Sequence, residues 1–352
     1  MALVTSSPAW LAFRGGVRAV RRRVAFAAGA MVAAMAAFAV GELYLRAAPP
    51  GDLAPYLPES DRPGPFRNDP TFGVQYRSLD ALATDNPGRF DPYRPLFNNP
   101  DGPRTWAFFG SSFAQAPKML ADTSRQFVPQ RVIFNLGKNE PLAVRMAQAS
   151  FLLDNGLKPE RIFLVCIPLD VHMLALHGLD QYRATESGAL VYAPRVPPVG
   201  GGLIQSSRLA LKGWTRTTLH LNRPFFPASA LYSRVDSVVR ADLRTAFSGL
   251  AETTARHRVP VTVVLLPSYD QVLRGAGFAV QDALAEDAHA VGFDVCDTRA
   301  AFLAWPNKPG LFIPDKHFSD VGNRLLLATI IEHLKANDPG AADLPNPAEV
   351  RP

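Results

Sequence analysis

Two short motifs, far apart in the chain, contain the side chains that a serine nucleophile and its base require. An apolar run ends in a glycine and two serines, Ser111 and Ser112, and a later loop contains Asp315 and, two residues on, His317. A serine hydroxyl is inert until a base removes its proton, and an imidazole base needs a carboxylate to orient it. The two motifs together therefore predict acyl-transfer chemistry.

The position of the serines at the end of a strand supports this interpretation, because ligands of open α/β sheets bind beyond the carboxyl ends of strands. One arrangement open to this motif is a helix from Phe113 onward. Ser112 would then lie at its amino end, where free N–H groups and the helix dipole favour developing negative charge. In an extended loop, residues two apart face the same side. Asp315 can therefore reach the inner ring nitrogen of His317, which leaves the outer nitrogen for the serine.

A second Asp-x-His, formed by Asp170 and His172, also follows a strand and competes for the role of base. Spacing alone does not exclude it; the alternatives are a wall of the cleft or a satisfied polar pair. His172, His177 and Asp180 could be drawn as a metal site, but no H-E-x-x-H or Cys/His cluster is present. The sequence also lacks a P-loop and G-x-G-x-x-G. We therefore expect neither a metal nor a cofactor.

The motifs resemble those of the SGNH (GDSL-like) hydrolase superfamily over residues 104–336. The family nucleophile is the third residue of a Gly-Asp-Ser block, so the resemblance favours the second serine, Ser112. The closing block, Asp-x-x-His with a glycine five residues later, is matched by His317 and Gly322, while Asp315 is one residue closer. This shorter form resembles membrane-associated proteins that acetylate alginate and other cell-envelope polysaccharides. The resemblance implies a catalytic triad of Ser112, His317 and Asp315.

The resemblance also implies an oxyanion hole. Gly137 matches the family glycine whose backbone N–H binds the oxyanion, although from the sequence alone it could equally just end a strand. Where the family has an asparagine as the third donor, this chain has Leu169, which cannot donate a hydrogen bond. Either Asn139 substitutes or the hole has two donors, and losing one donor typically costs about 10²–10³ in rate. We expect Gly137, Asn139 and Asp170 on the oxyanion and substrate-binding side of the site.

The elements that would position these residues alternate between strand and helix. Apolar runs and helical periodicity predict strands over 104–109, 131–136, 161–167, 261–266 and 293–297, and helices over 141–155, 235–257, 280–291 and 320–335. Asp320 is the expected N-cap of the last helix. The pattern predicts a three-layer α/β/α sandwich with a parallel, flavodoxin-like sheet, which is the fold that the resemblance implies.

Composition suggests the boundaries of this domain. We predict a proline-rich stalk over 46–70, an SGNH-like domain over 71–336 and a disordered tail over 337–352. Residues 71–103 are irregular in pattern and are expected to wrap an edge of the sheet. Residues 171–233 form a long insertion, which is typical of a lid or a substrate platform.

The amino-terminal region predicts a membrane anchor. Residues 1–23 contain five arginines; removing them from the 37 basic residues leaves 32 against 31 acidic ones, so the rest of the chain lacks the basic balance of a nucleic-acid-binding domain. Residues 24–41 are uncharged and would span about 27 Å as a helix, close to the ~30 Å of a bilayer core. We predict a single-pass anchor over 24–45 in the inner (cytoplasmic) membrane, with the tail cytoplasmic and the domain in the periplasm or outside the cell. The alternative is a signal peptide cleaved near Ala39.

Cys166 and Cys296 both lie in apolar, strand-like runs and are expected to be inert core thiols. A disulfide would be feasible only if their strands were neighbours.

The features together predict a periplasm-facing, membrane-anchored serine esterase or O-acetyltransferase. Water as the acceptor of the acyl group gives an esterase, and a sugar hydroxyl gives a transferase. The resemblance implies an acylated glycan or ester substrate on cell-envelope or exported polysaccharide. It also implies a multispanning membrane partner that delivers acyl groups. The alternative is a non-catalytic SGNH-fold protein that binds glycan or acts as a scaffold in an envelope assembly, which the leucine at 169 favours.

Overall fold

The computed structural model describes residues 8–47, 64–86, 88–99, 101–114, 119–136, 142–177, 179–192, 201–220, 235 and 237–352. The chain divides into two compact units. One combines Met1–Leu53 with Val196–Thr215, and the other combines Ala54–Arg195 with Arg216–Pro352.

The strands are β1 Phe66–Asp69, β2 Gly73–Tyr76, β3 Thr105–Gly110, β4 Val132–Phe134, β5 Arg161–Cys166, β6 Tyr182–Ala184, β7 Leu190–Tyr192, β8 Val261–Leu265 and β9 Asp294–Asp297. The α-helices are α1 Pro8–Ala47, α2 Leu79–Asp85, α3 Leu120–Phe127, α4 Leu142–Asp154, α5 Pro168–His177, α6 Gly201–Ser206, α7 Arg208–His220, α8 Ser237–His257, α9 Tyr269–Arg274, α10 Ala279–Ala290, α11 Arg299–Ala304, α12 Asp320–Asn337 and α13 Pro347–Val350. Short 3₁₀ helices cover Asp91–Leu96, Leu179–Gln181, Lys308–Leu311 and Pro339–Ala341.

The larger unit is built around a parallel sheet of five described strands in the order β4-β3-β5-β8-β9. Its first strand in the chain lies between the second and the third, which is the flavodoxin-like order. Strands β3, β5 and β8 are buried along their whole length. Continuous burial is what parallel strands need when helices cover both faces. The predicted fold class, a parallel α/β/α sandwich, is confirmed.

Alternate side chains of the strands enter two separate hydrophobic cores, one on each face of the sheet. In β3, Ala107 and Phe109 belong to the core that contains α4, α8 and α10. Trp106 and Phe108 belong to the core that contains α3 and α12. Because successive residues of a strand point to opposite faces, one buried strand ties the three layers together.

The described chain extends the folded unit beyond the predicted boundaries at both ends. Strand β1 pairs with β2 as an antiparallel hairpin, so part of the predicted stalk belongs to the fold. The prediction of a disordered tail over 337–352 is wrong: this segment forms a 3₁₀ turn and α13, and Leu344 and Val350 are buried against the α12 core. The apolar residues of the tail are few but regularly buried, whereas its composition resembles that of a disordered segment.

The expected wrapping of a sheet edge by residues 71–103 is visible at the edge strand β4. The hydroxyl of Tyr93 donates to the carbonyl of Ile133 at 3.1 Å, and its ring packs 4.6 Å from that of Phe134. The segment is more regular than its composition indicates, since it contains β2 and α2.

Both cysteines are free and buried. Cys166 ends β5 and Cys296 lies in β9, and β8 lies between these strands. The strands are therefore not neighbours. Burial raises the pKa of both thiols, as expected for inert core residues.

The smaller unit contains α1 with α6 and the first turns of α7. Within α1, the 22 residues Phe26–Ala47 are long and apolar enough to cross a membrane, with a mean hydropathy of 1.8 over an 18-residue window. Its side chains are exposed, Phe26 by 80%. A signal sequence has the same length and composition, so these properties alone do not separate an anchor from a signal.

At the end of this apolar stretch, Glu42 binds the start of α7. Its carboxylate accepts hydrogen bonds from the Ser207 hydroxyl at 2.8 Å and from the backbone N–H groups of Arg208 at 3.1 Å and Leu209 at 2.9 Å. In return, Arg208 donates to the carbonyls of Leu45 and Arg46, the last residues before α1 ends. Each helix thus supplies a side chain that satisfies free backbone groups at the end of the other.

Candidate active site

Ser112 follows the carboxyl end of β3, an interior strand of the sheet, in a tight turn. The backbone N–H of Ala114 donates to the carbonyl of Ser111 at 2.9 Å. A β-carbon on Gly110 would lie 2.7 Å from that of Ala114 and 2.9 Å from that of Val165, so only glycine permits this turn. A helix does not begin at Phe113, because 111–114 is a turn and the next described helix starts at Leu120.

His317 is presented by a short loop that is closed at its base by an antiparallel bridge between Phe312 and Phe318. Within the loop, the N–H of Ile313 donates to the carbonyl of His317 at 2.9 Å. The backbone of Lys316 has a φ of 73°, a left-handed conformation that tightens the turn and is uncommon for residues with a β-carbon. The bridge and the turn together fix the backbone on both sides of the imidazole.

Helix α12 follows this loop immediately and holds it in place. Its N-cap is Ser319, whose hydroxyl accepts from the N–H of Gly322, so the prediction of Asp320 as the cap is wrong by one residue. A β-carbon on Gly322 would lie 2.4 Å from the carbonyl oxygen of Leu311. The glycine five residues after the histidine therefore allows α12 to pack directly against the loop.

The structure brings the two sequence motifs into contact. His317 Nε2 lies 2.6 Å from Ser112 Oγ, a hydrogen bond between residues 205 positions apart. Ser111 is only 3% exposed, and its hydroxyl meets no hydrogen-bond partner within the described part of the chain. The geometry therefore distinguishes the two serines: Ser112 is within reach of a base and Ser111 is enclosed in the core.

The carboxylate of Asp315 forms its hydrogen bond with the backbone N–H of His317 and not with the imidazole ring. Its Oδ1 accepts from the His317 N–H at 3.1 Å and lies equally 3.1 Å from ring Nδ1, but the ring contact does not have the direction of a hydrogen bond. The carboxylate is 63% exposed. The backbone hydrogen bond from His317 lowers the pKa of Asp315 below its usual range, so the group is negatively charged at neutral pH. It places a negative charge beside the imidazole ring, but it orients the ring less firmly than a buried carboxylate would.

An aromatic cluster supports the imidazole from the other side. The ring of Phe113 lies 4.8 Å from that of His317 and 5.0 Å from that of Phe318, which in turn packs 4.7 Å from Phe302. Phe113 and Phe318 are buried. Sequence reasoning did not identify Phe113 as part of the site, although its position directly after Ser112 was a usable signal.

A second contact missed from the sequence comes from α9, which follows the carboxyl end of β8. Lys316 Nζ lies 5.2 Å from the ring centre of Tyr269 and 3.7 Å from Asp270 Oδ2. The ring of Tyr269 also packs 5.3 Å from that of Phe312. The carboxyl end of β8 thus borders the His317 loop. Ligand sites are expected at this end of the strands.

The competing Asp-x-His lies at the start of α5. Asp170 is buried and forms an ion pair with Arg145 at 2.6 Å, and its second oxygen accepts from the N–H of Ile167 at 2.9 Å. This carboxylate is therefore a satisfied buried pair and a helix-start acceptor, which was one of the alternatives drawn from the sequence. Leu169 beside it is 53% exposed.

The structure describes only some of the remaining predicted site residues. Gly137 and Asn139 lie outside the described residues, which after β4 extend only to Leu136 before resuming at Leu142. His172 and His177 both fall within α5. In the described part of the chain, no three His, Cys, Asp or Glu side chains cluster in a way that could hold a metal ion.

Comparison with solved structures finds similarity to the lipase/acylhydrolase from Enterococcus faecalis, with 15% identity, a TM-score of 0.38, and 66% of this chain and 96% of that chain covered. It also finds LAE5, an alpha/beta hydrolase enzyme from the metagenome of Lake Arreo, Spain, with 11% identity, a TM-score of 0.40, and coverage of 66% and 95%. No protein-family model and no curated protein matches the sequence. Similarity this low identifies neither an activity nor a substrate. The strand order itself is consistent with the SGNH (GDSL-like) hydrolase fold that the sequence motifs predict.

Proposed function

We propose that the protein is a membrane-anchored serine enzyme of the SGNH type that transfers or hydrolyses acyl groups. The observation that carries this proposal is the 2.6 Å contact between Ser112 Oγ and His317 Nε2 at the carboxyl end of a parallel sheet. A hydroxyl within hydrogen-bond reach of an imidazole can lose its proton as it attacks a carbonyl carbon.

In the proposed mechanism, Ser112 Oγ attacks the ester carbonyl while His317 Nε2 takes the hydroxyl proton. The tetrahedral intermediate collapses to an acyl-enzyme when His317 returns that proton to the leaving alcohol. The charge of Asp315 favours the cationic imidazolium between these steps. The proposed oxyanion donors are the backbone N–H groups of Ser112 and Gly137, with Asn139 as a third donor in place of the family asparagine.

The second half of the reaction depends on the acceptor. Water restores the serine and gives esterase activity, and a sugar hydroxyl gives O-acetyltransferase activity. The resemblance to envelope proteins supports cell-envelope or exported polysaccharide as the substrate class and a multispanning membrane protein as the acyl-delivery partner. Acetyl transfer from a chromogenic acetyl ester to an oligosaccharide, measured by mass spectrometry, tests this part. Release of free acetate with no acetylated sugar, across a panel of envelope glycans, would leave only the esterase.

The proposed location is the inner membrane, with the larger unit in the periplasm. The arginine-rich residues before an apolar helix support this orientation. Alkaline phosphatase fused after Pro352 should be active in intact cells, since that reporter folds only after export. An inactive but stable fusion would contradict the location, and loss of an amino-terminal fragment ending near Ala39 would identify a cleaved signal.

A second candidate is a non-catalytic SGNH-fold protein that binds glycan or assembles an envelope complex. Two observations favour it: Leu169 stands exposed where the family has a donor, and Asp315 is largely exposed without a directed bond to the ring. Such a protein would retain the fold and the cleft without turning over an ester.

Labelling with a fluorophosphonate probe separates the two candidates. We expect covalent labelling of the wild type that disappears in Ser112→Ala and persists in the matched control Ser111→Ala. Both serines are small and adjacent, so the two variants differ mainly in which hydroxyl they remove. Labelling that is lost only in Ser111→Ala would move the nucleophile. A folded wild type that does not react at neutral pH would favour the scaffold.

A further inference from the structure

A stretch that covers most of the long insertion and the two residues after it has an unusual distribution of charge. Residues 187–235 contain six basic side chains and no Asp or Glu, although the whole chain has 31 acidic residues. Arg208, Lys212 and Arg216 follow one another at intervals of four within this stretch. All three lie in α7. Residues four apart share a face of a helix, so the three form a basic stripe.

The apolar residues of α7 lie elsewhere on the helix. Leu211 is buried in the protein, and Trp214 is partly buried. With a period of 3.6 residues, both positions fall away from the middle of the basic stripe. The apolar and basic positions of α7 are therefore separated around the helix.

The contacts of Glu42 fix the height at which α7 begins. Glu42 is the first charged residue after the uncharged stretch 24–41. Its carboxylate holds the first N–H groups of α7, and Arg208 closes the carbonyl end of α1. Because these contacts occur where the apolar segment ends, the start of α7 lies at the level where α1 would leave the bilayer core.

We propose that α7 binds anionic phospholipid headgroups at the membrane surface next to the anchor. Three features support this: the basic stripe, the absence of acidic residues from the stretch 187–235, and the attachment of the helix to the end of the apolar segment. Arg46 forms an ion pair with Glu42 at 2.7 Å, so this acidic residue does not leave a net negative charge at the same level. A basic residue close to an anionic bilayer strengthens binding by roughly fivefold. The inference rests on the proposed membrane anchor but not on catalysis, because it uses no residue of the candidate active site.

The test uses the full-length protein reconstituted in vesicles, with a polarity-sensitive fluorophore on Gly213→Cys. A side chain at Gly213 meets no atom within 4 Å, and both native cysteines are buried, so labelling should be selective. The matched control carries the label on Lys335→Cys, an exposed position in α12. Quenching by nitroxide-labelled lipid headgroups reports the distance of each label from the bilayer surface. Flotation of the protein with vesicles of either composition tests the anchor separately.

We expect stronger quenching at position 213 in phosphatidylcholine vesicles that contain phosphatidylglycerol than in vesicles of phosphatidylcholine alone. The double variant Lys212→Gln/Arg216→Gln should lower the ratio of docked to undocked helix by roughly 25-fold. Equal quenching in both kinds of vesicle, or quenching no stronger than at position 335, would overturn the proposal even if the double variant failed to fold. In another contrary result, a soluble polyanion protects the fluorophore at position 213 from water where phosphatidylglycerol does not. That result would mean that the stripe binds a polyanion, and it would also overturn the proposal.

Discussion

Two histidine–aspartate pairs lie at opposite ends of the strands of the central sheet, and they differ in their contacts. At the amino ends of the strands, His333 Nε2 lies 2.8 and 2.9 Å from the two carboxylate oxygens of Asp294. Thr262 donates to the same carboxylate at 2.9 Å, and Arg161 approaches it at 3.8 Å. At the carboxyl ends, His317 has one loosely directed contact with the exposed carboxylate of Asp315.

The tighter pair is not the better candidate for catalysis. His333 uses its Nε2 on the aspartate, whereas His317 leaves Nε2 to the hydroxyl of Ser112. A base must keep one ring nitrogen for the proton that it moves, and a structural histidine can use its nitrogens to hold elements together. What each imidazole contacts separates the two roles better than the strength of the ion pair.

The largest expected difference between the pairs is in turnover. His317→Ala should lower ester hydrolysis by several orders of magnitude, on the order of 10⁴–10⁶, and the double variant with Ser112→Ala should be no worse, because the two residues act as a unit. His333→Ala should leave kcat within about twofold, since it lies at the opposite edge of the sheet. Steady-state kinetics on an acetyl ester measure both. Comparable losses in the two variants would remove the distinction.

A smaller effect is expected at the carboxylate beside His317. Asp315→Asn should lower kcat by about 10²-fold, less than the ~10⁴-fold loss of a buried triad aspartate, because solvent screens an exposed charge. KM should change little, since the carboxylate acts through the imidazole. Raising the ionic strength should lower the kcat of the wild type toward that of the variant. A loss as large as that of His317→Ala would mean that Asp315 closes onto the ring when substrate binds.

The smallest effect concerns stability at the other pair. Burial raises the pKa of Asp294, but the hydrogen bonds from His333 and Thr262 outweigh it, so the pKa lies below the ordinary 3.8. A carboxylate with a lowered pKa stabilises the fold above its unfolded pKa, and this contribution is lost as the pH falls through the folded pKa. His333→Ala should therefore cost about 1 kcal/mol of unfolding free energy at neutral pH, after allowance for solvent screening. Urea titrations should show the cost shrinking below about pH 4. If the loss of unfolding free energy in His333→Ala stays constant down to pH 3, it arises from lost packing and not from the ion pair.

Sequence patterns predicted the sheet well because its strands are buried on both faces. Continuous apolar runs such as Ile162–Cys166 have few alternatives to a central parallel strand, and the predicted bounds differ from the observed ones by one or two residues. The partnership of Ser112 and His317 was also predictable, since Ser112 follows a strand of the sheet and the chemistry of a serine nucleophile restricts the choice of base. The edge at which they meet follows from the parallel topology.

The sequence was less informative where tertiary contacts decide the structure. The turn at 111–114 follows Gly110, whose close approach to Val165 comes from pairing with β5, a strand far away in the sequence. The direction of the Asp315 carboxylate depends on the left-handed backbone of Lys316. The order of the tail depends on a few apolar residues such as Val350 that find a place beside α12. None of these contacts leaves a periodic signal in the chain.

The position of α12 has a consequence for how the protein is made. The face of the sheet that carries Trp106, Phe108 and Phe163 is completed by residues of α12, the last long helix to be synthesised. Until residues 320–337 emerge, that aromatic surface lacks its cover, and such surfaces promote aggregation of incomplete chains. A nascent chain that stops short of Asp320 would therefore depend on chaperones. Native folding, and with it the meeting of Ser112 and His317, awaits completion of the carboxyl-terminal segment.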